Sequence, residues 1–194
     1  MKPNVGMVYP VAAPVSAYTP GTSITYGAGT VIAEARSANL NWERSDGEFY
    51  GNDVLLDSDN GITGYTLEFE PTGLPNAVRA MLLGEVAESS AYTITDEPAP
   101  HVGFGYVRVM REEGTGGAVK TTYEGWWFHK VQFSISSEET ATKEKNVEWR
   151  TPKLSGKGAG VSLDATGVLA FAVHQDFETL AAAKTWLNGK AGIS

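Results

Sequence analysis

Hydrophobic and polar positions alternate most cleanly in Tyr65-Thr66-Leu67-Glu68-Phe69-Glu70, which puts Tyr65, Leu67 and Phe69 on one face of an extended strand and Thr66, Glu68 and Glu70 on the other. His101 to Arg111 and Val119 to Ile135 are also strand-like. The polar run Glu112-Glu113-Gly114-Thr115-Gly116-Gly117 lies between them, so the pattern predicts a hairpin. Its second arm holds Tyr123, Trp126, Trp127, Phe128, Val131, Phe133 and Ile135 and slips out of phase near Gly125, where a bulge is expected. Weaker strand patterns run from Val31 to Trp42, Tyr92 to Thr95, Val147 to Arg150 and Val168 to His174. The protein is therefore expected to be mainly β (α+β), a β-sandwich or barrel within a single domain over residues 1–194.

Two segments break the β pattern. Pro75 suits the first position of a short helix, Val78, Met81 and Leu82 share a stripe, and Gly84 is placed as its left-handed cap; this helix is expected to plug one end of the sandwich. Residues 176–189 predict a C-terminal helix, with Asp176 as cap and Gly189 as stop. Residues 1–30 are dense in Pro and Gly and predict an N-terminal arm with short strands. Residues 43–64 are rich in acids, Asn and Gly around the apolar island Val54-Leu55-Leu56, which predicts a long projecting hairpin. Within it, Asn60-Gly61 is the dipeptide favoured by type I′ turns.

Composition narrows the function classes. The 194 residues include no cysteine, which removes disulfides, thiolate catalysis and thiolate metal sites. The early prolines interrupt any apolar leader, and no stretch is long and apolar enough for a membrane helix, so a soluble protein with no membrane insertion is expected. The formal net charge is −8, with 15 basic residues against 23 acidic ones, and adhesive nucleic-acid binding needs the opposite balance.

Candidate chemistry is sparse. Asp57-Ser58-Asp59-Asn60-Gly61 begins like a calcium loop and Glu68 falls at its twelfth position, but the fifth and sixth positions hold Gly61 and Ile62, so an acidic turn is the better reading. Gly103-Phe104-Gly105 lacks the third glycine of a dinucleotide fingerprint and lies within a strand. Gly156-Lys157-Gly158 lacks the phosphate-loop spacing. His101, His129 and His174 are far apart, each in an apolar or aromatic strand, and Glu112-Glu113 and Glu138-Glu139 fit solvated turns. These readings predict no enzyme, no cofactor and no metal. Trp126-Trp127-Phe128 suggests core packing plus a subunit contact, with one Trp facing in and one out, or else a sugar-stacking platform.

Several segments, taken in order, resemble the major tail protein of long-tailed phages infecting Gram-positive bacteria, the tail-tube subunit of the phi13 type. They are Phe49 to Asp53, Asp57 to Gly61, Gly64 to Glu68, Gly73 to Pro75, Met81 to Gly84, Val102 to Arg108, Lys130 to Ser134, Thr151 to Gly156 and Ala183 to Asn188, covering roughly residues 24–190. The resemblance implies a tail-tube-like fold whose subunits form hexameric rings that stack into a hollow tube conducting genomic DNA. It further implies residence in the virion tail, with the host cytoplasm as the place of assembly. The implied partners are further copies of the same protein, the tape-measure, tail-terminator and distal tail proteins, and DNA that passes without specific binding. The runner-up is a carbohydrate-binding or adhesive virion module.

On this reading Val54, Leu55, Leu56, Asp57, Asp59, Trp126 and Trp127 are the expected contacts between subunits and rings. Glu68 and Glu70 are the expected acidic lining, which would repel phosphates and let DNA slide. Six subunits giving about four inner strands each, at ~4.8 Å spacing and ~40° tilt, close a barrel of ~48 Å backbone diameter. Side chains leave a bore of ~38 Å, wide enough for duplex DNA of ~20 Å.

Overall fold

The structure is a computed structural model that describes residues 3–51, 54–113, 119–138 and 151–193. In sequence order the elements are β1 (Asn4–Thr19), β2 (Ser23–Tyr26), β3 (Thr30–Val31), β4 (Ala35–Arg44), β5 (Gly47–Gly51), β6 (Val54–Asp59), β7 (Ile62–Pro71) and α1 (Asn76–Leu83). After these come β8 (Val86–Glu88), β9 (Ala91–Thr93), β10 (His101–Glu113), β11 (Val119–Ser137), β12 (Lys153–Gly158), β13 (Val161–Ser162), β14 (Leu169–Ala170), β15 (Ala172–Phe177) and α2 (Leu180–Ala191).

The fold is mainly β. One antiparallel sheet of nine strands has the order β2-β1-β10-β11-β12-β7-β4, with β3 added to β1 and β15 to β11. Strand β11 is long enough to serve two partners along one edge: Tyr123 to Phe128 pair with β15, and Val131 to Ser137 pair with β12. Ala12 and Ile32, near one end of this strand order, share a buried cluster with Tyr65, Leu67 and Phe69 of β7 near the other end, so the sheet is rolled around its core. Phe104, Tyr106, Phe128, Val131, Phe133 and Leu154 fill the roll, and Val78 and Leu82 of α1 pack into the same cluster.

The expected alternation holds in β7, where Tyr65, Leu67 and Phe69 are at most 1% exposed. In β11 the phase slip falls between Phe128 and Val131, opposite Phe104 and Val102, where one extra residue is accommodated; the bulge is not at Gly125. Gly125 has a different reason to be glycine, because a Cβ there would lie 2.9 Å from the Trp186 ring.

The outer side of the roll is built differently over its two halves. Val11, Ala13, Val107 and Trp127 form a second cluster there, roofed by Ala183, Leu187 and Ala191 of α2. Close approach depends on Gly103 and Gly105: a Cβ would meet Trp127 at 2.3 Å from the first and Leu187 at 2.7 Å from the second. Helix α2 starts at Thr179, whose Oγ1 accepts from the Ala182 N–H at 3.3 Å, and ends at left-handed Gly192. Asp176 is therefore not the cap, because it lies in β15 opposite Glu124, and Gly189 is an exposed position inside the helix. In α1, Pro75 is the capping residue just before the first turn, while Gly84 takes the left-handed cap as expected.

The N-terminal segment expected to be an arm is instead largely sheet: β1 pairs with β10 from Asn4 to Pro14, and Val11, Ala12 and Ala13 are fully buried. Its prolines fit because Pro10 sits at a register break, beside Tyr9 at φ 57°, where the ladder is interrupted. The projecting hairpin is present as the ribbon β5–β6, which continues the β4–β7 pair beyond the sheet. Asn60-Gly61 is not its turn. Within the ribbon Gly51 pairs with Val54, and Asn60-Gly61 joins β6 to β7, whose partners are different strands. The strand expected at Val147 to Arg150 lies outside the described residues.

Candidate assembly surface

Of the expected contact residues, Val54, Leu55, Leu56, Asp57 and Asp59 lie on β6, whose backbone pairs only with β5 among the described residues; their side chains are outside the description. The two tryptophans fall on opposite sides of β11, as alternation predicts. Trp127 is fully buried beneath α2, edge-on to Tyr26 at 5.1 Å. Trp126 is half-buried in β11 between β10 and β15, with the Arg108 guanidinium 4.2 Å from its ring centre and the His174 imidazole stacked at 4.7 Å. Because the flanking strands lie on opposite sides of β11, both faces of the indole are occupied. Neither tryptophan offers the open face on which a sugar ring stacks.

The expected acidic lining splits in two. Glu68 is exposed on the outer side of β7, whereas Glu70 is held by Arg36 at 3.0 Å and accepts a further bond from Thr151. Around them, β4, β7, β12 and the C-terminal half of β11 present Ser37, Asn39, Thr66, Ser134 and Ser155 outward, and no helix among the described residues covers this part of the sheet. Its carboxylates Glu43, Glu68 and Glu70 are matched by Arg36, Lys153 and Lys157, so the face is polar but not acidic overall. The outer edge of β4 pairs with no strand among the described residues, leaving a ten-residue ladder of backbone donors and acceptors at the margin of this face.

Folding also brings together a cluster that sequence spacing could not reveal. His174 Nδ1 lies 3.0 Å from Glu124 Oε1, and Arg108 Nη1 lies 3.8 Å from Glu124 Oε2, with Trp126 alongside. The residues come from three strands that are adjacent only through the sheet register, Arg108 opposite Glu124 and Trp126 opposite His174. The grooves lined by Leu83 and Ile94, by Glu68 and Lys153, and by Tyr9 and Lys184 do not include this cluster. It clamps β15 against β11 and β10.

His129 is buried at the β11 bulge, where the Tyr26 hydroxyl donates to its carbonyl at 2.9 Å and lies 3.3 Å from its Nδ1. Burial, aided by the charge of Lys190, pulls its imidazole down to about 4, so it is neutral at ordinary pH. The same burial pushes the Tyr26 hydroxyl up to about 12. His101 is also lowered, by burial and by Lys130. Among the described residues, no three His, Asp or Glu side chains are grouped to hold a metal ion, and no helix is long and apolar enough to cross a membrane.

No protein-family model matches the sequence, and no curated protein matches it either.

Proposed function

We propose that this protein is a structural tail-tube subunit of a phage virion, which assembles as hexameric rings stacked into a hollow tube. The observation that carries the reading is the polar face of β4, β7, β12 and the C-terminal half of β11, which no helix covers among the described residues. It amounts to about four strands per subunit, and it is flanked by an unpaired edge at β4 and by the projecting ribbon β5–β6. In the assembled tube this face lines the bore, and the ribbon reaches neighbouring copies.

The mixed charge of the face refines the lining. Glu68 is its most available carboxylate, while Glu70 is tied to Arg36 and nearby Lys153 and Lys157 temper the field. A near-neutral polar wall neither concentrates cations against phosphates nor repels DNA strongly, so the duplex passes with little retention. The adhesive alternative loses its main support because both faces of Trp126 are taken.

The test is negative-stain electron microscopy of concentrated protein beside light-scattering mass in dilute solution. Rings or tubes with a bore of ~38 Å are expected from the strand geometry. A strict monomer at every concentration, even after addition of tail-tip complexes as nucleators, overturns the reading.

A further inference from the structure

A groove of about 500 Å³ opens between the first turns of α2, the register break of β1 and the segment from β3 into β4, with apolar walls that include Met7, Pro10, Ile32, Ala35 and Leu180. Its volume falls within the roughly 300–1,000 Å³ of pockets that take small organic molecules. Tyr9 forms a further wall in a costly conformation. Its φ of 57° is left-handed, which a bulky side chain rarely adopts, and it falls where the pairing of β1 with β10 skips from Val8 to Val11. Two residues of α2, one turn apart, hold the Tyr9 ring: Asn188 Oδ1 accepts from its hydroxyl at 2.9 Å, and the Lys184 ammonium lies 4.6 Å from its centre. The Pro10 carbonyl accepts from the Ile32 N–H at 2.9 Å, which joins the two buried lining residues.

The groove is lined by one cationic side chain, Lys184, and one anionic side chain, Glu34. Among the described residues neither takes part in an ion pair, with the other or with a third group. Lys184 is half-buried and Glu34 is exposed. Glu34 is held in place through its backbone, whose carbonyl accepts from the Thr72 N–H at 2.6 Å and from the Thr72 hydroxyl at 2.8 Å. A cation partly withdrawn from water and lacking a counter-ion attracts an incoming anion more strongly than a fully solvated one does.

We propose that this groove binds a short apolar peptide with free termini, its carboxylate on Lys184, its ammonium on Glu34 and its side chains against the apolar walls. Opposite charges that do not meet each other across an apolar surface match a zwitterion. A fatty acid would leave Glu34 beside its tail, and an apolar amine would leave Lys184 without a counter-charge. The volume is more than a single amino acid fills. Tyr9, turned out of the ladder and pinned by Asn188, is the platform that positions the Lys184 ammonium.

This inference stands whether or not the protein builds tubes. The experiment is isothermal titration calorimetry of the full-length protein with leucyl-leucine, beside its N-acetylated and its C-amidated forms. Saturable binding at one site is expected for the unblocked dipeptide. Amidation should weaken it about tenfold, the loss of one charge-assisted contact at Lys184, and acetylation about threefold, because the Glu34 contact is solvated. Lys184→Gln should weaken leucyl-leucine about tenfold while leaving the affinity for the amide unchanged, a split that a merely structural role would not produce. No saturable binding of leucyl-leucine, or equal affinity for the blocked and unblocked forms on the wild type, overturns the site. Equal losses for leucyl-leucine and its amide in Lys184→Gln overturn the role of Lys184.

Discussion

The two halves of the outer sheet surface share strand β11 and yet have opposite chemistry. Over β1, β10 and the first half of β11, small residues and Trp127 lie flat under α2, and Val11, Val107, Trp127 and Leu187 are fully buried. Over β4, β7, β12 and the second half of β11, the outward positions are mainly Ser, Asn, Thr, Glu and Lys, with no helix packed on them among the described residues. A sheet face remains uncovered in a stable protein only if it is polar. The difference therefore separates a region that holds the fold together from one that meets solvent.

The comparison can be broken most decisively at the ribbon that extends the uncovered half. Leu55→Asp with Leu56→Asp should leave a folded monomer with an unchanged circular-dichroism spectrum and eliminate tubes in the electron microscope; tubes of wild-type length would remove the ribbon from the assembly surface. Under the helix, Trp127→Ala should cost about 3–5 kcal/mol in urea denaturation, as expected for deleting a large buried aromatic side chain.

His129 sharpens the comparison through pH. Its imidazole moves from 6.5 in the unfolded state to about 4 in the fold, so the unfolded state binds more protons between those values. The stability this residue contributes is full above pH 6.5 and is lost as the pH falls toward 4, up to about 3 kcal/mol. Denaturation midpoints measured from pH 7 to pH 4.5 should fall more steeply for the wild type than for His129→Gln. The smallest effect belongs to the uncovered face, where Glu68→Gln should change stability by no more than about 0.5 kcal/mol in the same assay.

How much of this was legible in the sequence depended on the range of the cause. The strand of Tyr65, Leu67 and Phe69 and the left-handed Gly84 are local signals, and both stand where expected. The prolines of β1 disguised a central strand because the register break that tolerates Pro10 is set by β10, nearly a hundred residues away in sequence. Asp176 was a plausible cap until pairing with β11 claimed it for β15. Trp126 and Trp127 do face opposite sides, but alternation could not show that α2 would cover one and that Arg108 and His174 would enclose the other. The ion pair of Arg36 with Glu70 and the cluster of His174, Glu124 and Arg108 exist only once strands remote in sequence are neighbours.

The seating of α2 has a consequence for how the protein is born. Leu187 and Ala191 complete a cluster whose other members begin at Val11, and the Ala191 carbonyl lies where a Cβ at Gly29 would be. While the polypeptide is being synthesised, Val107 and Trp127 have no roof until α2 leaves the ribosome, and such non-local closure makes folding slow and aggregation-exposed. Maturation of the fold is thus tied to completion of α2. A nascent polypeptide stalled before Leu180 would display an apolar strip suited to capture by chaperones, the mark by which quality control would read an unfinished fold.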